Sequence, residues 1–403
     1  MASAAVTSSA SKRRVSPVLV NKLESAGHTV NEAFIIPHED AVVTAGEDKT
    51  VRVWLLRESG EYWPSICQTT PSAATSLAYN GETRRLFIGF SSGAITEFSL
   101  TEDFNRMTLR RNYSAHMNRV SQMVFSLEHE WILSVGRDKC LQWHSTESGH
   151  RLGGHQISAW CLSLQFDAES KHIFVGDFSG LIHVLKIEEN SINEVTTLKG
   201  HSGSIRSLSW DPDKRLLFSG SFDEVIVVWD IGSQKGTAFE LSGHQDHVRA
   251  VCYIPHARKL LSSGDDKKLV VWNLESPKKE TPVWAESDIC EKCSAAFFWN
   301  VKEMWQKKKL QLNRQHHCRS CGLAVCNKCS KQSSCLPSMG FEYPVRLCNE
   351  CNDKLTDEDQ KTTTKFFDLK HEVMYMYYDP TKCHLLTVGS DKVVKLWDIK
   401  SIL

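Results

Sequence analysis

The sequence predicts a mainly β protein: a seven-bladed β-propeller with a small two-zinc finger inserted in its sixth blade. Three observations lead to this fold class. A strand-turn-strand pattern recurs about every 43 residues, and seven such units fit along the chain. Seven units are enough to close a propeller. Four Cys-x-x-Cys pairs fall within 62 residues, in a stretch that interrupts the repeat between its sixth and seventh units.

Each repeat unit is marked by an aromatic or large apolar residue at the end of a strand-like run. In the first six units this residue recurs in steps of 42 to 45 positions, at Trp54, Phe98, Trp143, Leu185, Trp229 and Trp272. Two alternating apolar runs joined by a tight turn surround each position, a period typical of strands. A seventh unit runs from His371 through Asp391 to Trp397.

Four units also carry a Gly-His pair upstream of the turn, at Gly27-His28, Gly154-His155, Gly200-His201 and Gly243-His244. With the turn aspartate and the tryptophan, these residues resemble the WD-repeat family. The resemblance implies that the histidine can hydrogen-bond the aspartate, as in His201 with Asp223 and His244 with Asp266, under the tryptophan ring. We therefore expect these residues to hold blades together and not to catalyse a reaction.

Closure of the ring suggests the domain boundaries. The segment VSPVLVNKLES precedes the first Gly-His pair and is predicted to be the outer strand that completes the last blade. FFDLK is predicted to be the fourth strand of blade six. We expect a disordered tail over 1–14, the closing strand and blades one to six over 15–281, the finger over 282–356, and the end of blade six with blade seven over 357–403.

The composition is that of a cytosolic globular protein. The chain is 41% hydrophobic and 24% charged. No apolar run approaches the roughly 18 residues of a spanning helix, and the first residues lack the apolar core of a secretory signal. Lys plus Arg equals Asp plus Glu at 48 each, so no bulk positive field favours nucleic acid. Any recognition of an anion must therefore be local.

Zinc is the best explanation of the paired cysteines. Cytosolic thiols stay reduced, so metal binding is favoured over disulfides. Eight thiolates suit two tetrahedral zinc ions in closed structural sites, which leave no position for a catalytic water. Only four residues separate the second and third pairs, too few for those two pairs to share a site comfortably. An interleaved arrangement is expected for the pairs Cys290/Cys293, Cys318/Cys321, Cys326/Cys329 and Cys348/Cys351.

A basic cluster surrounds the second cysteine pair, in the segment RQHHCRSCG. Zinc bonds would fix the backbone here, so the side chains would form a prearranged anion pocket. The alternative is an ordinary solvated basic face. The potential cations of this cluster are Arg314, His316, His317 and Arg319, joined by Arg346 two residues before Cys348.

The insert resembles a FYVE zinc finger, whose signature combines R-x-H-H-C-R with R-x-C before the last cysteine pair. With the repeats, the resemblance extends over nearly the whole chain to the WD repeat and FYVE domain-containing family. It implies one zinc ion held by Cys290, Cys293, Cys326 and Cys329, and a second held by Cys318, Cys321, Cys348 and Cys351. It also implies binding of phosphatidylinositol 3-phosphate through Arg314, His316, His317, Arg319 and Arg346, with Asp288 of the WAESD segment contacting hydroxyls.

The segment KKKLQLN, directly before Arg314, is predicted to contact the membrane. Leu310 and Leu312 would enter the interface while the lysines meet headgroups. The alternative is that both leucines pack into the finger's own core, as Phe297 is expected to do. Between Cys290 and Cys351 ten Lys and Arg face four Asp and Glu, a balance of +6. Two four-thiolate zinc sites at −2 each reduce this balance to about +2.

These features favour a non-enzymatic scaffold: the finger binds phosphatidylinositol 3-phosphate on early endosomes, and the propeller presents protein partners that the sequence does not identify. We expect a cytoplasmic protein, peripheral on that membrane. Ubiquitin ligation is an alternative, because RING-type ligases also use interleaved fingers, but their apolar docking surface is replaced here by the basic cluster. Nucleic-acid binding would need aromatic platforms on a wider basic face.

Overall fold

The computed structural model describes residues 15–24, 28–188, 191–232, 236–275, 278–280, 282–297 and 314–403. Within these ranges seven four-stranded antiparallel blades form a ring, with the finger at its rim, which confirms the predicted fold class. No helix in the described ranges is long and apolar enough to cross a membrane. The predicted tail over 1–14 and the predicted membrane-contacting Leu310 and Leu312 lie outside the described residues.

The first strand of the chain, β1 (Val18–Glu24), belongs to the last blade. Blades one to four then follow consecutively, and the strands of each pair in sequence order. Blade one contains β2 (Val30–Ile36), β3 (Ala41–Gly46), β4 (Thr50–Leu56) and β5 (Tyr62–Thr69); blade two β6 (Ala74–Asn80), β7 (Arg85–Phe90), β8 (Ala94–Leu100) and β9 (Met107–Ser114); blade three β10 (Val120–Ser126), β11 (Trp131–Gly136), β12 (Cys140–Ser145) and β13 (Arg151–Gln156); blade four β14 (Cys161–Asp167), β15 (His172–Asp177), β16 (Leu181–Glu188) and β17 (Ser191–Lys199).

The finger is inserted in the chain between the third and fourth strands of blade six. Blade five contains β18 (Ile205–Asp211), β19 (Leu216–Ser221), β20 (Val225–Asp230) and β21 (Gly236–Ser242), and blade six begins with β22 (Val248–Ile254), β23 (Lys259–Gly264) and β24 (Lys268–Asn273). The finger contains β25 (His316–His317), β26 (Ala324–Val325), β27 (Gln332–Leu336), β28 (Phe341–Leu347), α1 (Asn349–Asp353) and α2 (Asp357–Gln360). The last strands are β29 (Lys365–Asp368) of blade six and β30 (Val373–Asp379), β31 (His384–Gly389) and β32 (Val393–Asp398) of blade seven.

Strand β1 closes the ring. It pairs antiparallel with β32, with Leu23 opposite Val394. Leu23 is buried among residues of blades one and seven. The predicted closing strand is therefore present, and it covers an edge of blade seven that would otherwise be free to pair with other chains.

The blades are held together by apolar packing between neighbouring sheets and by buried polar groups within them. In blade six the His244 Nδ1 lies 2.9 Å from an Asp266 carboxylate oxygen, and its Nε2 lies 2.7 Å from the Ser262 hydroxyl. The Trp272 indole N–H donates to the same hydroxyl at 2.8 Å. Blade five repeats this arrangement, with His201 bonded to Asp223 at 2.9 Å. Both predicted His–Asp pairs are present.

In blade three the histidine bonded to the turn aspartate is not part of a Gly-His pair. It is His116, whose Nδ1 is 3.0 Å from Asp138. His155, of the Gly-His pair upstream of blade four, lies on the outer strand β13 of blade three, and its Nε2 is 3.9 Å from Glu194. Because His116 follows Ala115 and not a glycine, the Gly-His pattern does not identify it.

The finger leaves blade six after β24 and returns at β29, which pairs antiparallel with β24 as expected for FFDLK. It also contacts blade five through a parallel bridge between Ser242 and Phe341. The Ser242 amide donates to the Gly340 carbonyl at 2.8 Å. On blade six the Lys268 ammonium donates to the Tyr343 hydroxyl at 2.8 Å. Blades five and six together therefore fix the position of the finger on the rim.

Candidate zinc centres and anion pocket

The structure brings the eight paired cysteines into two clusters, and in each cluster all sulfur atoms lie within 4.8 Å of one another. The grouping is the interleaved one. The Cys293 and Cys326 sulfurs are 3.6 Å apart, and tetrahedral Zn–S bonds of about 2.3 Å would place sulfurs about 3.8 Å apart. The donor sets therefore fit two structural zinc ions: Cys290, Cys293, Cys326 and Cys329 in one, Cys318, Cys321, Cys348 and Cys351 in the other.

The backbone around the clusters is arranged to support thiolates. The Cys326 amide donates to the Cys290 sulfur at 3.3 Å, and the Cys348 amide donates to the Cys318 sulfur at 3.2 Å. Such N–H···S bonds orient a ligand and stabilise its negative charge. Apart from the sulfur atoms, the described part of the finger has a small apolar core, so we expect zinc binding to supply much of the finger's folding energy. The core includes Phe297, as expected, with Leu336, Met339, Phe341 and Leu347.

A cavity of about 410 Å³ opens beside the second cluster. Strand β25 supplies two histidines, the turn after Cys318 supplies Arg319, and the end of β28 supplies Arg346. We call this cavity the cationic pocket; it is lined by Trp284, His316, His317, Arg319, Val345 and Arg346. Four of the five predicted cations therefore converge. Arg314 and Asp288 are exposed and lie outside this lining.

Hydrogen bonds fix Arg346 at one side of the cationic pocket. One guanidinium nitrogen donates to the Asn327 side-chain oxygen at 2.9 Å and to the Ser330 carbonyl at 2.7 Å. Its own carbonyl accepts the Arg319 amide at 3.0 Å. Because Asn327 and Ser330 flank the metal ligand Cys329, the zinc cluster and Arg346 are positioned together.

Trp284 forms the opposite wall and was not predicted as part of the site. Its ring stacks on His317 with centroids 5.0 Å apart, and the Arg319 guanidinium lies 4.3 Å from its ring centroid. The His317 Nε2 lies 3.0 Å from the Ala285 carbonyl and donates to it. The WAESD segment therefore holds the side chains of His317 and Arg319 against the finger. The sequence signal for this contact was the tryptophan shortly before the first cysteine of the finger.

The clustered cations repel one another. Burial and the charges of Arg346 and Arg314 lower the pKa of His316. Burial also lowers the pKa of Arg319, against the opposing effect of Glu240 on blade five. Groups in this arrangement favour an anion, because a bound phosphate replaces repulsion with charge-assisted hydrogen bonds.

Together, the fold and the site define a propeller of WD repeats that carries a FYVE-type zinc finger within its sixth blade. Family comparison agrees with both parts. The FYVE zinc finger family matches residues 283–357. The WD domain, G-beta repeat family matches residues 19–54, 192–230, 235–273 and 363–398.

Whole-chain relatives have the same combination. The chain is 53% identical to WD repeat and FYVE domain-containing protein 2 of Homo sapiens, over 96% of each chain. It is 52% identical to WD repeat and FYVE domain-containing protein 1 of Homo sapiens, over 96% of this chain and 94% of that one. The chain therefore belongs to the WD repeat and FYVE domain-containing family. The crystal structure of the WD40 propeller domain of Doa1 shares the fold, with a TM-score of 0.63 and 14% identity over 94% of this chain and 96% of that one.

Proposed function

We propose that this protein is a non-enzymatic scaffold that binds phosphatidylinositol 3-phosphate on early endosomes through its finger and presents protein partners on its propeller. The observation that carries the proposal is the cationic pocket, in which two imidazoles and two guanidiniums surround one cavity. A phosphate monoester is a multiply charged acceptor that suits such a set of donors.

The proposed ligand contacts follow from the geometry of the cationic pocket. His316 and Arg346 contribute one side, and His317 and Arg319 the side next to Trp284. Arg314, which is exposed at the edge of β25, meets the phosphate or the membrane surface from outside the cavity. The finger's balance of about +2 with zinc bound adds a weak attraction to an anionic leaflet.

The scaffold role is supported by how the finger is attached. Its described residues contact blade five at the outer strand β21 and blade six at β24 and the outer strand β29, so these contacts lie at the rim of the ring. With four thiolates at each zinc ion, no coordination position is left for a reacting water. The buried His–Asp pairs serve blade stability, since each histidine nitrogen already has a partner in blades five and six.

Sedimentation of the zinc-loaded protein with vesicles tests the proposal. Binding should require phosphatidylinositol 3-phosphate and be weak on vesicles that contain unphosphorylated phosphatidylinositol. Arg319→Ala removes one cation from the cationic pocket and should weaken binding at least about tenfold, since charge-assisted hydrogen bonds contribute roughly 1.5–3 kcal/mol each. Lys331→Ala is the matched control, because Lys331 is an exposed cation of the finger outside the cavity. Equal loss in both variants, with two zinc ions retained, would contradict the assigned pocket.

A further inference from the structure

A second cationic cavity lies at the centre of the propeller, and no described residue of the finger lines it. It has a volume of about 450 Å³ and is lined by residues from all seven blades. We call it the channel mouth. Four arginines face it: Arg119, Arg137, Arg206 and Arg249.

Only two of these arginines are neutralised by carboxylates. Arg249 forms a bidentate pair with Asp265, with both distances 2.8 Å, and Arg119 lies 3.2 Å from Glu47. Among the described residues, no carboxylate oxygen lies within 4.0 Å of a guanidinium nitrogen of Arg137 or Arg206, the limit for an ion pair. The Nε of Arg137 is also buried and has no hydrogen-bond partner among these residues. The channel mouth therefore holds two guanidinium groups without an ion-pair partner among the described residues, and the carboxylates of Glu47 and Asp265 act on them only at longer range.

Electrostatics at the channel mouth favour an added anion. Burial, followed by the charges of Arg249 and Arg137, lowers the pKa of Arg206 to about 10. Glu32 faces the same cavity, but burial raises its pKa to about 7, so that at neutral pH it offers only part of a negative charge. Such repulsion between desolvated cations is relieved when an anion binds between them.

Aromatic rings hold the arginines in place and form an apolar rim. The Arg137 guanidinium lies 5.6 Å from the centroid of Trp160, and that of Arg206 lies 5.5 Å from the centroid of Phe222. Trp160 and Phe178 are 43% and 55% exposed, with ring centroids 5.4 Å apart. Exposed aromatic pairs beside a charged centre are typical of surfaces that anchor a peptide.

We propose that the channel mouth binds a phosphorylated side chain in a linear segment of a partner protein. The phosphate lies between Arg137 and Arg206, and apolar residues flanking it pack on Trp160 and Phe178. A phosphate monoester carries about −1.5 to −2 charges and so matches two free guanidiniums, whereas a carboxylate would neutralise one. The inference rests on the proposed partner-binding role of the propeller and is independent of lipid binding by the finger.

Fluorescence polarisation with the full-length, zinc-loaded protein tests this assignment. The probes are two degenerate peptide libraries, one centred on phosphoserine and one on serine, each with apolar residues at the flanking positions. We expect the phosphoserine library to bind at least tenfold more tightly. Arg137→Gln and Arg206→Gln should each reduce it to the level of the serine library. Arg57→Gln, an exposed arginine in a turn of blade one, should have no effect.

Three results would overturn the proposal. They are equal affinity for both libraries, phosphoserine binding that survives both channel-mouth substitutions, or inorganic phosphate binding as tightly as the peptides. Thermal unfolding separates binding from folding: because each substitution removes a repelled cation, the melting temperature should stay equal or rise. Loss of binding only together with a lower melting temperature would make these arginines structural. Vesicle sedimentation of the same variants should be unchanged, so a failure of lipid binding is measured separately.

Discussion

His144 on β12 is a buried imidazole that should make the propeller sensitive to acid. The residue is 3% exposed, and its Nδ1 has no hydrogen-bond partner among the described residues. Burial, with smaller effects of His116 and Arg151, lowers the pKa of His144 to about 4. A lowered histidine pKa means that the unfolded chain takes up the proton first, so stability is full above about pH 6.5 and falls as pH decreases towards 4.

We therefore predict that His144→Gln reduces the loss of stability between pH 7 and pH 5 by about 1 to 2 kcal/mol. Urea denaturation at both pH values measures this change in the free energy of unfolding. Because each protein is compared with itself at the two pH values, any effect of the substitution on packing cancels. His150→Gln is the control, since His150 belongs to the same blade and is exposed. An unchanged pH dependence in His144→Gln would show that another group controls acid sensitivity.

Residue spacing predicted some of the polar contacts and missed others for identifiable reasons. The separation of 22 residues between histidine and aspartate is the same in His201–Asp223, His244–Asp266 and His116–Asp138. In blade three this interval holds although no glycine precedes the histidine, whereas His371 and Asp391 of blade seven pair at a separation of 20 residues. The stacking of Trp284 on His317 could not be predicted, because it depends on how the segment before the first cysteine folds across β25.

Gly340 connects the finger to blade five. Its φ is +90°, and an added Cβ would lie 2.0 Å from the Glu240 carbonyl oxygen. Gly340→Ala is therefore expected to break the bridge at Ser242, whose amide donates to the Gly340 carbonyl. Hydrogen exchange should become at least about tenfold faster at Ser242 and stay unchanged in the centre of blade two.

Gly81→Ala provides the matched control for that substitution. A Cβ at Gly81 would meet nothing closer than 3.9 Å, and this glycine lies in a turn of blade two. Both variants should retain two zinc ions, because neither glycine contacts a metal ligand directly. Protection of Ser242 that survives Gly340→Ala would mean that contacts of blade six, such as Lys268 with Tyr343, hold the finger without this bridge.

Removal of one thiolate tests the dependence of the finger on metal. Cys318→Ser deletes a buried ligand of the second cluster and should lower the zinc content from two ions to one or none, with loss of the finger's fold. Cys335→Ser is the matched control, because Cys335 lies on β27 outside both clusters. Elemental analysis gives the zinc content, and the melting of the propeller should change little. Two zinc ions in Cys318→Ser would contradict the assignment of Cys318 as a required zinc ligand.

At this scale the sequence predicted strands well and contacts between elements poorly. The positions of β1 and β29 followed from the need to complete blades seven and six. A blade with only three of its four strands would leave one strand edge without a pairing partner. The contact of β28 with β21 rests on a single bridge, which leaves no periodic signal. In blade two, a buried pair of Arg85 with Glu97 at 2.8 Å provides polar contacts that the WD-repeat pattern does not foresee.

The two proposed anion sites lie in different structural settings. The cationic pocket is local: the segment around Cys318, the end of β28 and Trp284 supply its lining. Its cations lie beside metal-binding cysteines in the sequence and could therefore be predicted from it. The channel mouth collects side chains from blades far apart in the chain, such as Arg119, Arg206 and Arg249. Only ring closure brings these arginines together, so no local sequence motif identifies them as one site.

Closure of the ring should therefore control the stability of the entire propeller. Leu23 on β1 is 2% exposed and packs against residues of blades one and seven, whereas Leu19 on the same strand is 39% exposed. Leu23→Ala should lower the free energy of unfolding by about 2 to 4 kcal/mol, the usual cost of emptying a buried leucine site. Leu19→Ala should change it by less than about 0.5 kcal/mol.

Equilibrium denaturation followed by tryptophan fluorescence measures both variants, because most blades contain a tryptophan. If the ring unfolds as one unit, the midpoint shifts for Leu23→Ala while a single transition remains. A new early transition limited to blade seven would mean that the closing strand stabilises one blade and not the ring. Equal effects of the two leucine substitutions would contradict the packing of Leu23 between blades, since both remove the same atoms from the same strand.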